Sequence, residues 1–259
     1  MDLGIKGRKA IVCASSKGLG KACATSLARE GVEVFINART EGPLLQTAKE
    51  IAQLTGAKVT PVQADIMTEE GRGKLLSACP DADILVNNNS GPPPGKLADW
   101  DHAAWIPALE ANLLAAALLI RGVVPGMRAR KFGRIVNITS AMVKTPYPEM
   151  GLSTTARAGL TAFSKSLSKE VVADNVTINN MLPFRIDTDR QVFFTKRLAE
   201  QEGIPFEAAR QRIAQTVAAG RMGKPEEFGD ACAFLCSVQA SFISGQNLQL
   251  DGGSYQGLI

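Results

Sequence analysis

The chain has 259 residues, 45% hydrophobic and 21% charged, which is the composition of an ordinary globular protein with one large core. Its formal net charge is +4, and aromatic residues make up only 5%. The cations are scattered and there is little material for base stacking, so a nucleic-acid surface is not expected, whereas a mild positive excess suits an anionic small molecule.

In chain order, short apolar runs alternate with longer amphipathic stretches. Lys9–Ala14 reads as a strand and Leu19–Arg29 as a helix. Val32–Ile36 is a strand and Pro43–Leu54 a helix; Val59–Gln63 and Ile84–Val86 are strands separated by a helix near Glu69–Ala78. A long helical stretch follows Asp101 and runs to about Arg130, with Pro125 expected to bend or end its regular part. Arg134–Ile138 is a strand, Thr154–Val172 a helix and Thr177–Met181 a strand. A helix near Pro225–Cys236 and a strand at Asn247–Leu250 close the chain. This alternation predicts a single-domain α/β Rossmann fold: a doubly wound, mostly seven-stranded parallel sheet with helices on both faces. Ligands in such sheets lie outside the carboxyl ends of the strands. Residues 184–219 break the rhythm as two inserted helices carrying Val192, Phe193, Phe194 and Leu198. They suit a substrate lid, and equally a dimer contact or simple packing.

The five cysteines, Cys13, Cys23, Cys79, Cys232 and Cys236, form no CxxC pair, which argues against a disulfide framework or zinc site. His102 is the one histidine and falls at the start of a predicted helix, where an exposed or capping role is expected. The first residues carry no run of signal-peptide length, and the apolar segment 113–120 is too short to span a bilayer and is followed by Arg121. The cytoplasm is the default expectation.

After the first strand comes Cys13-Ala14-Ser15-Ser16-Lys17-Gly18-Leu19-Gly20. A strand, a small-residue turn and a helix start make a phosphate site, because the backbone can approach closely and the helix N-terminus offers free N–H groups. The turn resembles the TGxxxGxG signature of the short-chain dehydrogenase/reductase family, with Cys13-Ala14 in place of Thr-Gly. Further marks follow in order: Asp65-Ile66, Asn87-Asn88-Asn89-Ser90, Asn112, Ser140, Pro183 (followed by Phe184 where the family has Gly), Arg221–Glu227 and Ser244–Gly253. The resemblance covers nearly the whole chain and is nearest to the β-ketoacyl-carrier-protein-reductase-like branch, among its atypical members. It implies cofactor contacts at Ala14, Ser16, Lys17, Leu19, Asp65, Ile66, Asn88, Pro183 and Ile186.

NAD-specific sites place an acidic residue at the end of the second strand; this chain has Asn37-Ala38-Arg39 there. Arg39 suits a 2′-phosphate, and Lys17 is a second cation placed as in NADP-preferring relatives, so NADPH is the expected cofactor. Two exposed surface cations would be the plainer reading of the same residues.

The family's YxxxK pair aligns with Leu152-Ser153-Thr154-Thr155-Ala156-Arg157-Ala158-Gly159-Leu160, so Ser153 stands at the Tyr position and Arg157 at the Lys position. Their spacing of four puts both on one helical face. Arg157 keeps a charge and can donate to ribose hydroxyls, but it is no neutral proton relay. Ser153 is a far poorer acid than a phenol, whose pKa is ~10. Tyr147, in the loop Lys144–Glu149, is the candidate substitute donor, or else an aromatic lining the substrate mouth; Glu149 is a weaker candidate. Ser140 is expected to polarise a carbonyl, and Asn112 to hold a helix bend and a water.

These residues point first to an NADPH-dependent oxidoreductase moving hydride between nicotinamide and a carbonyl or alcohol substrate, with an altered proton donor. The alternatives are a non-catalytic or regulatory NADP-binding protein, a repurposed lyase or isomerase, and last a fold holding no dinucleotide. The resemblance also implies a homo-oligomer, tetramer or dimer, with no nucleic-acid or membrane partner.

Overall fold

Along each central strand, successive side chains point to opposite faces of the sheet, and both faces are apolar. Ala10 and Val12 face one layer and Ile11 the other; Val34 and Ile36 oppose Phe35, and Ile84 and Val86 oppose Leu85. Such strands are stable only between two helical layers, and the computed structural model, which describes residues 1–258, shows that arrangement.

The elements run β1 (Lys9–Val12), α1 (Gly18–Arg29), β2 (Glu33–Ala38), α2 (Glu41–Thr55), β3 (Val59–Gln63), α3 (Glu69–Ala78) and β4 (Ile84–Asn87). Then come α4 (His102–Leu109), α5 (Ala115–Ala129), β5 (Gly133–Ile138), α6 (Gly151–Val171) and β6 (Val176–Pro183). The chain ends with α7 (Asp189–Glu202), α8 (Phe206–Gln215), α9 (Pro225–Leu235) and β7 (Asn247–Leu250). Seven parallel strands pair in the order β3-β2-β1-β4-β5-β6-β7. Winding reverses beside β1, which pairs with β2 on one side and β4 on the other, so a crevice opens at the carboxyl ends of β1 and β4. One layer is built on Cys23, Leu27, Phe228 and Cys232 of α1 and α9, the other on Leu75, Leu119, Val123 and Met127 of α3 and α5. Each such side chain, fully buried, contributes roughly 1.5–3 kcal/mol.

Two expectations need correction. Pro125 does not end its helix: α5 runs through it to Ala129. Arg121, whose carbonyl loses the bond that Pro125 has no N–H to make, lies on the exposed face, where water can take its place. The irregularity lies earlier, as a π-helical turn at Glu110–Leu114 with Asn112 in its middle. Second, the continuous helical segment His102–Ala129 is long and apolar enough to cross a membrane by length and composition, with hydropathy 1.7. Its residues Leu119, Ile120, Val123 and Met127 pack against the sheet, so this face belongs to the core, while only 33% of the apolar window is buried within the chain. His102 is exposed at the first position of α4, whose N-cap is Asp101.

Candidate functional site: a cleft with five cations

At the end of β1 the backbone turns sharply. Ala14 adopts φ 45°, a left-handed conformation that is strained for a residue with a side chain. Hydrogen bonds hold it there. Ser15 N donates to Asn37 O (2.8 Å), Asn37 N donates to Ser15 Oγ (2.9 Å), and Asn88 Nδ2 donates to Ala14 O (3.2 Å). Asn37 also reaches sideways, donating to Val62 O and Ala64 O at 3.0 Å each, so one buried amide stitches β2, β3 and the turn together. Sequence reasoning valued Asn37 only as the absence of an acidic residue. A Cβ on Gly20 would run into the Ala14 carbonyl, which explains why glycine stands where α1 meets the turn. The Lys17 side chain gives α1 no cap, so the first N–H groups of that helix stay available to an anion.

This turn forms one wall of a cleft of ≈ 740 Å³. Ala14, Ser16, Lys17 and Leu19 line it from β1 and α1, and Arg39 from the end of β2. Asp65 and Ile66 line it after β3, Asn88 after β4, Pro183 at the end of β6 and Ile186 just beyond it. Lys17 pairs with Asp189 of α7 at 3.2 Å, an exposed contact worth little by itself. Arg39 is exposed. Asp65 Oδ1 accepts from Met67 N at 3.0 Å, which shapes its own loop.

Ser140, Ser153 and Arg157 line the other end of the same cleft. Ser140 Oγ accepts from Met142 N (3.2 Å), which leaves its O–H free to donate. Ser153 and Arg157 are buried, one turn apart on α6, and Arg157 Nε donates to Ser153 Oγ at 3.3 Å. Arg157 Nη1 donates to Ile138 O (2.7 Å) and Thr139 O (3.1 Å), and Nη2 to Asn89 O (3.2 Å). Of the five guanidinium N–H donors, one remains uncommitted. Burial, and then the nearby charge of Arg190, push the Arg157 pKa down to about 10, so at neutral pH it is a buried cation.

The remaining candidates lie elsewhere. Asn112 is buried in the π-turn, where Nδ2 lies 3.4 Å from both Ser90 O and Ala108 O, and it lines a second cavity of ≈ 540 Å³ that adjoins the cleft at Ser90 and Gly91. Pro92, Pro93 and Pro94 line that second cavity and do not fill the cleft. Tyr147 is 40% exposed and Glu149 is exposed; neither lines the cleft itself, but Tyr147 lies near enough to Arg185 of the cleft to act on it electrostatically. Tyr147 caps a short 3-10 turn at Pro148–Met150, with Pro148 at its first position, where a missing N–H costs nothing. Two cleft cations went unnoticed in the sequence, Arg185 and Arg190; the only signal was Phe184, where the resemblance called for Gly. Thr188, Phe193 and Phe194 bring the inserted helices to the rim.

The fit to a phosphorylated dinucleotide is favourable on these observations. Free N–H groups, a close-approach turn and two cations stand at one end, and an uncommitted Arg157 N–H stands at the other. Comparison with known proteins agrees. Residues 13–255 match the family model described as enoyl-(acyl carrier protein) reductase. An uncharacterized oxidoreductase, YvaG, of Bacillus subtilis is 33% identical over 98% of both chains. The 3-oxoacyl-[acyl-carrier-protein] reductase FabG of Aquifex aeolicus is 31% identical over 98% of this chain and 100% of that one. The crystal structure of L-sorbose reductase from Gluconobacter frateurii, complexed with NADPH and L-sorbose, superposes with a TM-score of 0.94 at 32% identity over the whole of both chains.

Proposed function

Because the chain belongs to the short-chain dehydrogenase/reductase family, we infer that it is an NADPH-dependent reductase of a carbonyl substrate whose usual phenolic proton donor is replaced. The observation that carries this reading is the alignment of Ser140, Ser153 and Arg157 along one end of a cleft whose other end is built for phosphates. Lys17 and the open α1 N-terminus would hold the diphosphate, Arg39 the 2′-phosphate, Asp65 the adenine side, and the last Arg157 N–H a ribose hydroxyl. The relatives in this comparison include a protein solved with NADPH and a carrier-protein reductase, which supports the same choice.

When bound, the reduced nicotinamide supplies hydride. The chain's own residues then have to stabilise the charge that grows on the carbonyl oxygen. Ser140 and Ser153 each keep a hydroxyl proton to donate, because the bonds they make within the protein use their oxygens as acceptors. Arg157 adds a positive charge in a dry setting through its contact with Ser153, where such charges act most strongly. In this reading an electrostatic cradle stands where relatives keep a tuned acid, and the proton reaches the oxygen from water. Lack of a positioned acid costs about 10²–10⁴ in rate, so turnover is expected to be slow. The helices at 184–219 serve as a substrate lid, since Phe193 and Phe194 stand at the rim. Leu114 and Phe163 are exposed apolar residues consistent with a homo-oligomer, to be checked by light scattering.

A second reading, a dinucleotide-binding protein without turnover, draws on the commitment of Arg157 to three main-chain carbonyls. One experiment separates the two. NADPH is expected to raise the melting temperature more than NADH does, by mass action. A carbonyl panel should then show NADPH consumption that Ser140→Ala slows about 10²–10³-fold. Absence of any melting shift with NADPH overturns both readings, and a shift with no turnover on any carbonyl leaves the second.

A further inference from the structure

Beyond Lys17 and Arg39, assigned above to the phosphates of the cofactor, three arginines share the cleft. Five cations line it, Lys17, Arg39, Arg157, Arg185 and Arg190, against two carboxylates, Asp65 and Asp189. Asp65 belongs to the adenine side, and Asp189 pairs with Lys17. Among the described residues no carboxylate pairs with Arg157, Arg185 or Arg190.

Arg185 is the most telling of the three. Its backbone takes φ 51°, a strained left-handed conformation held just after β6. Its guanidinium lies over the Phe184 ring, 5.2 Å from the centroid, and its buried Nε has no hydrogen-bond partner. Burial pushes its pKa down, so the protein bears a cost for holding this charge where it is. Arg190 reaches across from α7, with Nη2 3.3 Å from Pro92 O and its guanidinium 4.8 Å from the Phe194 centroid. It stands close enough to Arg157 for the two charges to repel. Arg190 is exposed at the rim while Arg157 and the Arg185 Nε are buried, so an anion entering here meets positive charge that no carboxylate of the chain already pairs, and a buried donor that has no partner.

We propose that the substrate of this cleft is an oxo acid, a carbonyl compound carrying a carboxylate, bound through Arg185 with Arg190 closing over it. The guanidinium fork matches a carboxylate in plane, and the unpartnered Nε is one of its donors. The proposal rests on the reductase reading above, and the test keeps the two apart.

The full-length protein is saturated with NADP⁺, so that no turnover occurs. Acetoacetate, 2-oxobutanoate and the methyl ester of each are then titrated in a calorimeter. At least one acid is expected to bind tenfold or more tighter than its ester. Arg185→Gln is expected to remove that difference, Arg185→Lys to restore part of it, and both to bind NADP⁺ within twofold of the parent. Arg190→Gln serves as a second variant, expected to weaken acid binding, should Arg185→Gln melt early. Equal binding of acid and ester, including binding of neither, overturns the proposal. So does a loss of NADP⁺ affinity in Arg185→Gln with the acid preference intact, which would assign Arg185 to the cofactor. Failure of the parent to bind NADP⁺ sinks the reductase reading instead, and the acid-over-ester comparison without cofactor then decides this one.

Discussion

The two ends of the cleft are built from different materials. At the β1 end the work is done by main chain: a strained turn at Ala14, a helix start without a side-chain cap, and carbonyls and amides pinned by Asn37 and Asn88. At the α6 end it is done by side chains, two serine hydroxyls and three arginines. A site made of backbone geometry tolerates sequence change as long as small residues and hydrogen bonds persist, which is how Ala14 can stand where relatives carry glycine. A site made of side chains changes its chemistry with each substitution. On the proposed function, the contrast means that the cofactor end rests on main-chain geometry while the reacting end rests on the identity of Ser140, Ser153 and Arg157.

The sharpest way to break this contrast is Arg157→Ala. The substitution strips Ile138 O, Thr139 O and Asn89 O of their partner and opens a cavity, so a loss of roughly 3–5 kcal/mol is expected. Thermal melting should fall by about 10 °C. A melting temperature within a degree or two of the parent would show that this end is not held together by the arginine. The same cation sets an alkaline limit on turnover. Its pKa, lowered to about 10, means the charge is lost earlier than for an ordinary arginine, so rates should decline as pH rises through that value.

Ser140→Ala tests chemistry without the structural debt. The hydroxyl accepts one bond from Met142 N, so stability should change by about 1 kcal/mol or less. The rate should drop about 10²–10³-fold if this hydroxyl faces the developing oxyanion. A variant retaining half the parent's kcat would place the reacting carbonyl elsewhere.

How much of this was legible in the sequence follows the same division. The seven strands and the glycine-turn residues could be read in order, because apolar periodicity and small-residue turns are local signals. Pro125 misled because a proline's cost depends on whether the orphaned carbonyl faces water, which is a tertiary fact. The π-turn around Asn112 was anticipated as a bend, but its place on a second cavity beside the cleft was not. Arg185 and Arg190 escaped notice because an arginine in a loop or on a helix is usually solvated. Only the fold shows that these two share a cleft with Arg157 and lack acidic partners.

Arg39→Gln probes the main-chain end, where one side chain was assigned a decisive role. Arg39 is exposed at the cleft rim, so its pairing with a 2′-phosphate is screened by water and salt. About a tenfold rise in the Kd for NADPH is expected, with NADH unchanged, because charge-assisted hydrogen bonds to phosphate contribute about 1.5–3 kcal/mol at most. Titration of intrinsic fluorescence with both nucleotides checks it. Equal weakening for both would mean that Arg39 touches a part the two share.

The smallest effect is expected from Tyr147→Phe. A phenol that donated the proton would have to reach the carbonyl held by Ser140 and Ser153, yet Tyr147 is 40% exposed on a loop outside the cleft. Its one recorded influence on the site is electrostatic, on Arg185. Removing its hydroxyl should therefore leave kcat within about twofold, against the 10²–10⁴-fold loss that follows removal of a positioned general acid. A loss of that larger size, with a normal melting temperature, would mean that the loop 144–149 folds inward during turnover. The reacting end would then own a phenol after all, borrowed from a loop where relatives take it from the helix, and the electrostatic cradle of Ser140, Ser153 and Arg157 would be reduced to orienting the substrate.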